Sequence, residues 1–141
     1  MESLDLSGLP EHALLLLDSA PIIYFLEDHP RFGPRFQILF EEHSKGNVQF
    51  AVTTITIAEV LAGPLSVSDE SLVRRYRNIL ESWQVVALDA EIAESAARVR
   101  LSFRLKLADA IQVASALAIN ADALVTHDRD FTNVRSLRVI S

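Results

Sequence analysis

No cysteine occurs in the 141-residue chain, which excludes disulfides, a thiolate zinc site and a thiol nucleophile. That absence is compatible with a reducing compartment. Glycine and proline number only four and five, too few for collagen-like or low-complexity classes. Charge is sparse as well: 23% of residues are charged against 50% apolar, a balance that excludes intrinsic disorder. Thirteen basic residues face nineteen acidic ones, and a net charge of −6 argues against a passive nucleic-acid binder working through a basic surface. An enzyme whose acids are neutralised by bound metal is not excluded. No apolar run approaches the roughly 18 residues of a membrane span. The start, MESLDLSGLPEH, lacks the basic and apolar regions of a signal peptide. The expected location is the cytoplasm, with no membrane contact. No glycine-rich loop follows an apolar run, which disfavours a phosphate-cradling α/β protein.

What is present fits one domain over residues 1–141, with 1–12 as a loose polar lead-in. Ala13–Leu17 is a short apolar run ending at Asp18 and reads as a buried strand. Pro21 opens a helix to about Asp28, and a second helix runs from Arg31 to about His43 with Phe32, Phe36 and Phe40 at spacing four. Val48–Val52 is a second strand; Thr54–Ala62 is a helix expected to stop at Gly63-Pro64. The spacing then predicts a helix over Asp69–Ser82, a strand over Val85–Leu88, and helices over Ala90–Leu105 and Ala108–Ile119. Strands over Ala123–Thr126 and Leu137–Ile140 complete the set. Short apolar strands alternating with helices imply an α/β fold with a mostly parallel central sheet of about five strands. Right-handed crossovers place strand ends and the starts of following helices on one edge, where a site is to be sought.

Four acids mark that edge. Asp18 ends the first strand, Glu59 lies early in the helix after the second, Asp109 opens the last helix, and Asp128 directly follows the fourth strand. Each has an ordinary structural reading: Asp18 as a helix cap, Thr56-Ile57-Ala58-Glu59 as a capping box, Asp109 with Gln112 as an N-terminal pattern, Asp128 and Asp130 as turn residues. Capping does not explain their arrival at one edge. Carboxylates packed together repel, and a hard divalent cation, Mg²⁺ or Mn²⁺, removes the conflict.

The segments LLLLDSAPIIYFLE, TTITIAEVLAG and LADAIQVASALAINADALVTHDRDF, in that order, resemble a PIN domain, and within it the VapC-type toxins of toxin–antitoxin pairs. The resemblance runs from about Leu14 to Val139. It implies a PIN-like three-layer fold and a Mg²⁺- or Mn²⁺-dependent endoribonuclease that leaves a 5′-phosphate and a 3′-hydroxyl. Its acids fall on Asp18, Glu59 and Asp109, with Asp128 or Asp130 as the fourth. A cognate antitoxin and a homodimer are implied as well. A housekeeping RNA-processing nuclease and a non-catalytic binding module share the fold; short length favours the toxin over the first, and the four acids count against the second.

Ser19 and Thr126 flank the acids and are candidates to orient a carboxylate or water through their hydroxyls. His127 is a candidate substrate contact. Seven basic residues lie between Arg74 and Lys106; of these, Arg100, Arg104 and Lys106 precede Asp109 and are candidates for gripping RNA phosphates. The aromatic stretch Tyr24, Phe25, Phe32, Phe36 and Phe40 reads mainly as core. By the same resemblance, aromatics left exposed there form the antitoxin surface.

Overall fold

The computed structural model describes residues 2–128, 131, 134 and 136–141. Among the described residues, strands and helices follow in the order β1 (Ala13–Leu17), α1 (Ser19–Leu26), α2 (Gly33–Ser44), β2 (Val48–Thr53), α3 (Thr54–Ser66), α4 (Glu70–Glu81), β3 (Gln84–Val86), α5 (Ala90–Phe103), α6 (Leu107–Ala118), β4 (Ala123–Val125) and β5 (Val139–Ile140). The strands form one sheet in the order β3-β2-β1-β4-β5, and every pairing is parallel. The expected α/β architecture is therefore present.

β1 reads Ala-Leu-Leu-Leu-Leu because both of its faces are covered, as is usual for the middle of a parallel sheet. Leu15 and Leu17 point to one core with Ile22, Phe36, Leu39 and Leu80, while Leu16 points to another with Ala110, Val113, Ala114 and Leu124. Helices thus lie on both faces, giving three layers. Register at the centre is fixed twice over: Leu14 N–H donates to Asp122 Oδ2 at 2.8 Å, and Asp122 N–H donates to the Leu14 carbonyl at 2.7 Å.

β1 occupies the switch point of the sheet, with β2 on one side and β4 on the other. In open α/β sheets the crevice at strand C-termini beside such a point is where ligands bind. α6 leads through a short connection into β4, which runs parallel to β1. Its N-terminus, carrying Asp109, must therefore lie at the edge where the strands end.

Several boundaries differ from expectation, each for a local reason. α1 starts at Ser19 rather than Pro21, because Asp18 has extended backbone and its carboxylate accepts the Ser19 N–H. α2 starts at Gly33, with Phe32 at the cap position and Pro34 in the first turn. Gly63-Pro64 does not end α3, which continues to Ser66. Proline near a C-terminus removes a single donor, and the carbonyls of Pro64 and Leu65 are capped by the N–H groups of Asp69 and Ser68. α5 ends one residue before Arg104, which takes a left-handed conformation with φ 55°. Residues 2–12 form no helix or strand, yet Leu4 is buried and its N–H donates to the Arg35 carbonyl at 3.2 Å. Apolar Leu6 and Leu9 also pack on the core, so this segment is anchored by side chains. Among the described residues no helix is long and apolar enough to cross a membrane.

Leu16 is fully buried in the central strand. Leu16→Ala should lower unfolding free energy by about 3 kcal/mol, the middle of the range for buried leucine truncation. Equilibrium urea unfolding checks this as a lower midpoint with an unchanged slope.

Candidate active site

A cleft of about 340 Å³ opens at the C-terminal edge of the sheet, lined by Asp18, Ser19, Ala20, Tyr24, Glu59, Ala108, Asp109, Gln112, His127 and Asp128. Four acids from four stretches of chain therefore share one cavity. Asp18 comes from the end of β1, Glu59 from the second turn of α3, Asp109 from the first turn of α6 and Asp128 from just beyond β4. Asp130, the other sequence candidate for the fourth acid, lies outside the described residues.

Asp18 is held by three hydrogen bonds. Its Oδ1 accepts from the Ser19 N–H at 2.9 Å and from Gln112 Nε2 at 3.0 Å; its Oδ2 accepts from Thr126 Oγ1 at 2.9 Å. Its own N–H donates to the Val125 carbonyl at 2.8 Å, extending the β1–β4 ladder up to the site. Asp18 is thus a helix cap and a cleft acid at once. Thr126, fully buried, also accepts the Asp128 N–H at 3.0 Å, so one hydroxyl touches the carboxylate of one cleft acid and the backbone of another.

Glu59 is not the end of a capping box. Thr53 caps α3 by accepting the Thr56 N–H at 3.1 Å, which places Glu59 a turn beyond the cap position. Freed from that task, its carboxyl faces the cleft, where burial first and then the charges of Asp18 and Asp109 push its pKa above the ordinary value. A hydrogen bond from Ser19 opposes the rise. Asp109 does lie in the first turn of α6, but Gln112 turns away from the helix start and into the polar contacts beneath Asp18.

The remaining wall is aromatic. Tyr24 Oη and His127 Nδ1 share a hydrogen bond of 2.9 Å, and the two rings meet edge-on at 5.4 Å. Phe32 and Phe36 pack behind His127 at 4.5 and 5.8 Å. The aromatic stretch thus divides, with Phe36 and Phe40 in the core and Tyr24 at the cleft. Arg100, Arg104 and Lys106 are exposed around the α5–α6 turn, outside the cleft lining.

The donor set suits a hard divalent cation in kind: carboxylate oxygens from four elements, with no lysine or arginine lining the cleft among the described residues. Burial is the main cause of the elevated Glu59 pKa, and the neighbouring charges of Asp18 and Asp109 add to it. Among the described residues no three acidic or imidazole groups stand close enough to form a ready-made cage. The acids share the cavity without forming such a cage.

A raised carboxyl pKa means that the folded chain holds the Glu59 proton more tightly than the unfolded chain. Its contribution to stability is present below the ordinary carboxylate range and is lost as pH rises through the elevated folded value. Glu59→Gln should therefore raise the melting temperature of the metal-free chain at pH 7 and leave it unchanged near pH 3. Because Glu59 keeps solvent access, the gain should stay below about 1 kcal/mol. Calorimetric melting at the two pH values checks both parts.

The PIN domain model matches residues 15–137. No curated protein matches the sequence. Among solved structures, the chain is similar to a chain of a toxin–antitoxin complex from Klebsiella pneumoniae, at 24% identity over 90% of this chain and 96% of that one, with a TM-score of 0.73. It is similar to a chain of VapBC2 from Rickettsia felis, bound to a promoter DNA fragment, at 20% identity over 89% and 96%, TM-score 0.70. It is also similar to VapC20 of Mycobacterium tuberculosis, a sarcin–ricin-loop-cleaving toxin, at 12% identity over 88% and 98%, TM-score 0.69.

Proposed function

The chain belongs to the PIN domain family, and on that premise we propose that it is a Mg²⁺- or Mn²⁺-dependent endoribonuclease, the toxin of a toxin–antitoxin pair. The observation that carries this reading is the meeting of Asp18, Glu59, Asp109 and Asp128 in one cleft without a lysine or arginine among the described lining. Asp18, Asp109, Glu59 and Asp128 are the residues that would hold the cation, with Asp130 as a further candidate ligand. A divalent cation in such a site lowers the pKa of a water, aims it at phosphorus and stabilises charge on the leaving oxygen.

The chain's own residues supply orientation. Three donors fix the Asp18 carboxylate, so it meets a cation without a rotamer search. Thr126 ties that carboxylate to the backbone of Asp128. Tyr24 and His127 form the wall against which a nucleotide rests. Arg100, Arg104 and Lys106, exposed beyond the cleft, bind the flanking phosphates and make RNA binding salt-sensitive.

The partner side of the reading is supported by the neighbours from Klebsiella, Rickettsia, Haemophilus and Salmonella, whose structures are toxin–antitoxin complexes. We assign the antitoxin to the face bearing α1 and α2, where Phe25 is 44% exposed while stacked on Phe40 at 3.8 Å. The active form is a homodimer working in the cytoplasm.

Antitoxin-free protein should cleave RNA in Mg²⁺ or Mn²⁺ and stop on addition of a chelator. Asp109→Asn should lower the rate by more than about 100-fold, since outer partners of metal ligands alone are worth about 10- to 100-fold. Gel analysis of end-labelled RNA reads both effects; cleavage that persists undiminished in chelator contradicts the proposal.

A further inference from the structure

Beneath the cleft lies a polar residue that neither the acids nor the basic track account for. Gln112 is 2% exposed, in the middle of α6 among Ile111, Val113 and Ala114, where an uncompensated amide is costly. Its hydrogen-bonding capacity is taken up by partners from three other parts of the chain. One Nε2 hydrogen goes to Asp18 Oδ1 at 3.0 Å and the other to Thr56 Oγ1 at 2.7 Å, while Oε1 accepts from Thr53 Oγ1 at 2.9 Å. Thr53 and Thr56 are themselves buried, so these groups find no water in place of the amide.

We propose that Gln112 is a positioning residue for the cation site, setting the Asp18 carboxylate and the placement of Asp109 together. Two features of its chemistry carry this. First, the amide is a neutral donor. It orders Asp18 without neutralising it, whereas an arginine or lysine at this position would form an ion pair and compete with a cation for the same oxygens. The other donors to Asp18, a backbone N–H and the Thr126 hydroxyl, are neutral as well. Asp18 is thus held by three hydrogen bonds, all from uncharged donors. Second, Gln112 stands one helical turn after Asp109 on α6, so both face the cleft. Its bond to Asp18 therefore pins the helix that carries one acid to the strand end that carries another.

The inference rests on the metal-dependent reading above. Its test compares Mn²⁺ affinity, measured by calorimetric titration of the antitoxin-free chain, in Gln112→Met and Val113→Ala. Methionine keeps the length and volume but removes the donors; Val113→Ala removes buried packing from the same helix without touching Asp18. Gln112→Met should weaken Mn²⁺ binding by about 10-fold or more while Val113→Ala stays close to the unmodified chain. In RNA cleavage the loss should fall on kcat, with KM unchanged. Unchanged Mn²⁺ affinity in Gln112→Met overturns the inference, as does an equal loss in Val113→Ala, which would mark general loosening of α6. Should Gln112→Met not fold, as read by circular dichroism, Gln112→Leu carries the same comparison. Absence of Mn²⁺ binding in the unmodified chain would instead overturn the metal reading, and this inference with it.

Discussion

A carboxylate at the end of a fully buried central strand has to be ordered without losing its charge, and the rest of this site is arranged around that requirement. Asp18 meets it with neutral donors from three places: the helix it caps, the hydroxyl of Thr126 beyond β4, and the amide of Gln112 on α6. Each donor belongs to an element whose position is set by hydrophobic packing on one or the other face of β1. The two cores thus fix the frame, and the hydrogen bonds transfer its precision to a single carboxylate. A cation introduced by the protein itself would order Asp18 equally well but would leave nothing for a ligand to neutralise.

The same topology concentrates negative charge. Parallel pairing on both sides of β1 brings chain segments more than a hundred residues apart to one edge, and each delivers an acid. Such a cluster is unfavourable in the absence of a counter-charge, and after burial the charges of Asp18 and Asp109 make the carboxyl of Glu59 hold its proton more tightly than usual. A divalent cation turns that repulsion into binding energy. On the proposed reading, a bound cation would supply positive charge at the cleft of a chain whose net charge is −6, and basic residues would serve only the flanks.

Much of this was legible in the sequence, because hydrophobic runs and punctuation are local signals. The apolar run of β1 broken by Asp18, the alternation of strands and helices, and the position of each acid relative to its element all follow from patterns within a few residues. What was hidden depends on contacts across the fold. The capping box written in Thr56 to Glu59 is a valid local motif, yet Thr53, the last residue of β2, takes the cap and releases Glu59 to the cleft. Gly63-Pro64 carries a stop signal that downstream N–H groups make unnecessary. Gln112 gave the weakest signal of all: a polar residue in an alanine-rich helix, three places after Asp109, whose partners lie 94, 56 and 59 positions away. A glutamine among the buried, mostly small and apolar residues of that helix was the available clue. Tyr24 is similar, since its partner His127 is remote in sequence.

The central claim is that these carboxylates form one cation site. The most direct measurement is a calorimetric titration of Mn²⁺ into the antitoxin-free chain at pH 7, beside the near-isosteric Asp18→Asn variant. The account predicts saturable binding that the variant loses while retaining its fold. An unmodified chain that binds no Mn²⁺, or a variant that binds it as well as the unmodified chain, would contradict it and leave the acids as caps and turn residues at a shared edge.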